Sequence, residues 1–191
     1  EFESMNICIK RCACHINAHA PIEALQQLRE EVGFKPEDVR EIVVGGIEKL
    51  VTHHAIYQPK DLMMAQYSIP FCVALSLYDD PTDPESFSEK KLKDKKLLAM
   101  MRKIRLKVDH EIEQKGWDRA ARLTLVLANK QRVSKLIIHF KGTPGNPLSQ
   151  AEVEDKARKL TRALLPTRQL ERLVETVNTL EKIDDVSRIG K

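Results

Sequence analysis

At Ile104 the apolar pattern of the chain changes period. Ile104, Leu106 and Val108 alternate with Arg105, Lys107 and Asp109, which is the signature of a half-exposed strand. Residues 121–128 and 133–140 read as two further strands, joined by Asn129-Lys130-Gln131-Arg132 as a hairpin turn. Upstream, the β-branched run Ile42-Val43-Val44 marks a strand within 39–51, broken or bulged at Gly45-Gly46. Helices read before and after these strands. The chain is therefore expected to be α+β, with an antiparallel sheet.

Residues 19–31 carry Ile22, Leu25 and Leu28 at helical spacing, continued by Val32 and stopped by Gly33. Asp61 caps an apolar helix that reads to about 77, with Pro70 inside it as a kink or break. Residues 88–103 read as a basic helix striped by Leu92, Leu97, Leu98 and Met101. Ser149 and Glu152 form a capping box, and helices follow at about 150–165 and 167–182, divided by Pro166. His53-His54 falls in an expected loop before Pro59. With 191 residues the chain can bury a real core. The organisation predicted is an α+β body over 1–147 and a helical segment over 148–191.

Residues 89–107 hold nine Lys/Arg and two acids, a local net charge of +7 against +4 for the whole chain. A basic patch can bind nucleic acid. This one has no aromatic residue for base stacking and no nucleic-acid motif, so a solvated helix face is expected, and no nucleic-acid partner. No apolar run approaches the roughly 20 residues of a membrane span, and the opening EFESMNICIK lacks the pattern of a signal peptide. The four cysteines are mostly crowded into residues 8–14, which does not make a disulfide framework; a cytoplasmic or organelle-matrix setting is expected.

Residues 10–24, KRCACHINAHAPIEA, concentrate the reactive side chains. Ile7 and Ile9 alternate with Cys8 and Lys10 as at a strand end, Asn17 can cap the helix that follows, and Pro21 suits its first turn. His15 and His19 then stand at a strand-to-helix junction, where unpaired N–H groups, the helix dipole and the Lys10 charge favour a carboxylate or phosphate. Two other readings compete. The Cys/His density has the look of a zinc site, but in one compact run rather than the usual separated pairs. Alternatively, a histidine at a helix start hydrogen-bonds backbone and the cysteines are small core residues.

The spacing KR-x3-H-x3-H-x3-EA resembles the opening of the C-terminal domain of the MmgE/PrpD family, which includes 2-methylcitrate dehydratase, cis-aconitate decarboxylase and iminodisuccinate epimerase. Residues 65–77, AQYSIPFCVALSL, resemble that family's A-x-x-S-x-x-[YF]-x-x-A helix. Residues 141–156, KGTPGNPLSQAEVEDK, resemble its G-x-P-x-x-P-L-S segment. The three motifs occur in family order.

The resemblance implies a lid-like domain followed by helices that return to an N-terminal helical domain absent from this sequence. That domain, or the body itself, would cover Leu160, Leu164, Leu170, Val174 and Val177. It implies metal-independent chemistry on small di- or tricarboxylic acids, with no cofactor and no metal, and it admits a homodimer. Lys10 would bind or polarise a carboxylate, and His15 and His19 would form the catalytic site, His being able to carry a proton near neutral pH. Arg11, Ser68 and Phe71 would line the substrate. Where the decarboxylase branch has Tyr, this chain has Phe71, so dehydration, hydration or epimerisation is expected ahead of decarboxylation. The isolated chain, with half of a two-domain site, is expected to show little turnover. The reading from another class is a non-catalytic interaction module.

Overall fold

The computed structural model describes residues 2–189. The chain divides into two compact units, Glu1–Pro147 and Leu148–Lys191. The first is α+β. Its elements are α1 (His19–Val32), β1 (Val39–Gly46), α2 (Glu48–His54), α3 (Leu62–Tyr67), α4 (Ile69–Leu75), α5 (Lys95–Met101), β2 (Ile104–Val108), α6 (His110–Gln114), β3 (Ala121–Leu127) and β4 (Arg132–Ile137). The second unit holds α7 (Gln150–Thr161) and α8 (Thr167–Asn178). Among the described residues no helix is long and apolar enough to cross a membrane.

The four strands form one sheet in the order β2-β1-β3-β4. β1 runs antiparallel to β3, and β3 to β4, but β1 and β2 are parallel. The sheet is thus mixed, a correction to the antiparallel expectation. Parallel neighbours require a crossover connection. The chain makes it by leaving β1 at Gly46, passing through α2 to α5, and returning at Ile104. Ile42 faces Leu125 and Val44 faces Leu123 across the β1–β3 ladder, and all four side chains are fully buried. α1 lies across β3 and β4, while α4 touches α1, α5 and β2. Every residue of α4 from Ile69 to Leu75 is buried, so this short helix is the centre of the core.

Several local expectations change in three dimensions. Residues 7–10 join no strand, and Ile7 and Ile9 are exposed. β1 ends at Gly46 without a bulge there; its irregularity lies between Val39 and Glu41. A Cβ on Gly46 would stand 2.8 Å from Leu50 Cδ1, so the glycine lets α2 turn back closely onto the strand. His53 and His54 end that helix rather than sitting in a loop. The helix expected over 61–77 is two helices, with the break at Ser68 rather than Pro70. Ser68 ends α3 and its hydroxyl caps α4 by accepting from Phe71 N at 3.0 Å, while Pro70 sits harmlessly in the first turn. The basic helix shrinks to Lys95–Met101. Part of its charge is used internally: Lys91 pairs with Asp79 at 2.6 Å, and Lys103 Nζ donates to Val39 O at 2.6 Å.

Other signals read in the sequence match the structure. Asp61 accepts from Met64 N at 2.7 Å, and Gly33 closes α1 at φ 73°, a left-handed position that favours glycine. Ser149 and Glu152 complete a capping box on α7. Within the second unit Arg158 holds Glu171 at 2.8 Å and Glu154 at 3.2 Å, and Leu170 is buried, while Leu160, Leu164 and Val177 are exposed.

Ser68 carries two hydrogen bonds at once, because its hydroxyl also donates to Ile56 O. Ser68→Ala removes the α4 cap and leaves Ile56 O without this partner. The expected loss is about 1–2 kcal/mol of unfolding free energy, read from urea melts of the two proteins.

Candidate functional site

Residues 7–15, before the short turn Ile16–Ala18 that leads into α1, form an irregular loop that belongs to no sheet; hydrogen bonds to three distant segments hold it. Ile9 N donates to Gly142 O at 2.9 Å, Ala13 N to Pro81 O at 3.0 Å and His15 N to Gln66 O at 2.8 Å. Gln66 returns its side-chain amide to Ala13 O at 2.9 Å, and Lys141 N donates to the Glu23 carboxylate at 2.6 Å. The stretches 10–24, 65–77 and 141–147, far apart in sequence, are therefore one structural neighbourhood.

Three aromatic side chains sit at this junction. The His15 ring lies 4.3 Å from His54 and 4.7 Å from Tyr67, centroid to centroid. His54 is 3 % exposed, whereas Tyr67 is 48 % exposed and His15 lies between them in exposure. His54 donates from Nδ1 to Tyr67 O at 3.0 Å, and its Nε2 meets the Asn17 side-chain amide at 3.3 Å. The backbone N–H of Asn17 donates to His15 Nδ1 at 3.3 Å, which makes His15, not Asn17, the cap of the short turn before α1. Lys10 is exposed, and its ammonium donates to Cys14 O at 3.3 Å, one residue before His15.

The charge around His15 is one-sided. Partial burial, then His54, Lys10 and Lys49, lower its pKa from the ordinary histidine value. Burial likewise lowers that of His54, reinforced by His53 and Lys49, although its bond to Tyr67 O works the other way. The lowered values favour the neutral form of both rings at pH 7.

The other expected site residues take different places. His19 is 3 % exposed; its Nε2 accepts from Cys12 N at 3.1 Å and its Nδ1 meets His15 O at 3.3 Å. With both ring nitrogens bound to backbone and its ring on Phe140 at 5.1 Å, His19 tethers the loop to α1. Ser68 and Phe71 have no exposed surface, and Phe71 packs toward Phe87 in the core. Within this unit neither presents an atom at the surface, unlike the lining position expected of them. Arg11 is half-buried and lines a separate cleft of about 410 Å³ with Gln26, Arg29 and Ser76, towards the C-terminal ends of α1 and α4. Of the expected set, Lys10 and His15 are the two whose side chains remain at the surface of this junction, with the Lys10 charge acting on His15. His54 and Tyr67 were missed because the first was read as a loop residue and the second carries no signal on a helix face.

Cys12, Cys14 and Cys72 are buried free thiols. A hydrogen bond with Cys14 and burial push the Cys12 thiol well up. Cys14 is also raised, by Cys72 and burial, against the opposite pull of its bond with Cys12. Raised, buried thiols behave as small core residues. Among the described residues no three His, Cys, Asp or Glu side chains gather as donors for a metal ion.

Compared with known proteins, residues 12–182 match the model of the MmgE/PrpD C-terminal domain. The chain belongs to the MmgE/PrpD family. It is 23% identical over 198 aligned residues to the cis-aconitate decarboxylase-like protein oryM of Aspergillus oryzae, with 99% of this chain and 41% of that protein covered. The chain thus spans less than half the length of this curated relative. The matched domain contains the whole histidine cluster and each element that builds it.

The lowered histidine pKa values set the direction of a pH effect. Between the folded value and about 6.5 the unfolded chain binds more protons than the folded one. Stability contributed by His15 and His54 is therefore present above that window and lost as pH falls through it. Urea midpoints are expected to drop between about pH 7.5 and about pH 5, and by less in His15→Gln than in the parent. Asp109 adds a separate loss at lower pH: burial works against its charge, but Arg122 at 2.9 Å holds its carboxyl below the usual range.

Proposed function

We propose that this chain is the part of an MmgE/PrpD lyase or isomerase that presents Lys10 and His15 to a small di- or tricarboxylic acid. The observation that carries the reading is the pairing of Lys10 with His15. One short loop sets an ammonium, fixed on Cys14 O, beside a histidine that has an open ring nitrogen. Lys10 neutralises a carboxylate through a charge-assisted hydrogen bond, the strongest kind available to a surface ligand. Lys49, whose charge also reaches His15, gives the same face a second cation, as an acid with more than one carboxylate needs. Such an acid loses or gains a proton next to a carboxylate in dehydration, hydration and epimerisation alike.

Phe71 no longer separates these reactions from decarboxylation, since a fully buried ring does not select a substrate. The relative's name keeps decarboxylation among them. The remaining wall of the site is assigned to the helical domain that family members carry, and the chain alone is expected to turn over little substrate. That domain is also the candidate cover for the exposed Leu160, Leu164 and Val177.

In the complete enzyme, Lys10→Ala removes a charge-assisted hydrogen bond of about 1.5–3 kcal/mol, a loss of roughly ten- to a hundredfold in kcat/KM. The melting temperature is expected to hold, because the side chain is exposed. Lys10→Arg restores only part of the rate, a planar fork replacing a point charge. An unchanged kcat/KM on tricarboxylates removes Lys10 from the site.

A further inference from the structure

Which proton His15 carries is decided by Asn17. The Asn17 backbone N–H points at His15 Nδ1, and a backbone amide only donates, so Nδ1 of the neutral ring is the bare nitrogen and the proton resides on Nε2. Among the described residues no hydrogen bond takes that Nε2–H. Among the described residues every buried side-chain nitrogen or oxygen has a partner, so an unpartnered Nε2 is reached by solvent. The same residue fixes the second ring. His54 gives its Nδ1 proton to Tyr67 O, which leaves Nε2 bare to accept the Asn17 side-chain amide. One asparagine therefore sets both tautomers, its backbone holding one histidine and its side chain the other.

We infer that His15 meets the substrate as a neutral hydrogen-bond donor through Nε2–H, not as the base that removes its proton, with Asn17 and His54 as its positioning residues. The inference rests on the proposed carboxylic-acid site and specifies what His15 does there. To accept a proton at Nε2 the neutral ring would have to move its own proton to Nδ1 and break the bond from Asn17. A neutral imidazole aimed at a carboxylate oxygen instead stabilises the charge that gathers there when the neighbouring proton leaves. The surroundings are consistent with this. Lys10 from the loop, Lys49 from α2 and the neighbouring His54 all disfavour a positive charge on the ring, His53 does the same to His54, Tyr67 flanks His15 from α3, and none of these groups is a carboxylate.

Two measurements test this. Nitrogen NMR of the labelled 191-residue chain at about pH 8 reads the tautomer directly. The expected result is His15 protonated on Nε2, and a dominant Nδ1–H form overturns the inference. In Asn17→Asp the side chain accepts where the amide donated. His54 is then expected to protonate at higher pH than in the parent, and unchanged His54 nitrogen shifts would remove Asn17 from its role.

In the complete enzyme, His15→Gln keeps an N–H near the position of Nε2 but cannot carry a proton, whereas His15→Ala keeps neither. His15→Gln is expected to retain about ten- to a hundredfold more kcat/KM than His15→Ala at matched melting temperature. Equal losses in the two variants overturn donation in favour of proton transfer. If the parent enzyme is inactive on every small carboxylic acid, the proposed function fails, and the NMR result still decides the tautomer.

Discussion

A reciprocal pair of hydrogen bonds holds the site together: His15 N donates to Gln66 O, and the Gln66 side chain donates to Ala13 O. These bonds fasten an irregular loop to the end of α3, just before the chain turns into the buried helix α4. Without them, Lys10 and His15 would sit on a stretch that has no strand partner and no helix of its own. With them, the loop inherits the rigidity of the core, because α4 has no exposed residue through which to loosen. His19 adds the opposite anchor by accepting from Cys12 N inside the same loop.

This arrangement explains the composition of the stretch 10–24. Its residues divide between two tasks according to the side they face. Cys12, Cys14 and His19 face inward and fill or tie the core, which needs small or fully bonded side chains. Lys10 and His15 face outward and keep a donor towards solvent. The break at Ser68 belongs to the same design. A continuous helix over 61–77 would carry Tyr67 and its carbonyl past the junction; ending α3 there leaves that carbonyl available to His54.

Much of the fold was readable residue by residue. The period change at Ile104, the hairpin at Asn129–Arg132, the stop at Gly33, the cap at Asp61 and the capping box at Ser149 are local signals, and each acts over one or two turns of chain. Parallel pairing of β1 with β2 was not readable, since it depends on where a long crossover deposits the returning strand. The Gly45-Gly46 pair misled for a related reason: it answers to the approach of Leu50 and Asp109, which are not its sequence neighbours in the strand.

The family, and the loop that carries Lys10 and His15, were determined by the sequence itself, because the motifs are contiguous spacings that the chain displays without folding. Which members of those motifs can reach a ligand was decided only by tertiary structure. Ser68 and Phe71 share a motif with Tyr67, yet burial withdraws the first two and leaves the third at the surface. His19 shares one with His15, yet two backbone bonds consume it. His54 entered the cluster from α2, and its neutral state and that of His15 follow from burial and neighbouring charge. Burial and charge are properties of assembled neighbours rather than of residue identity, so no spacing along the chain encodes them.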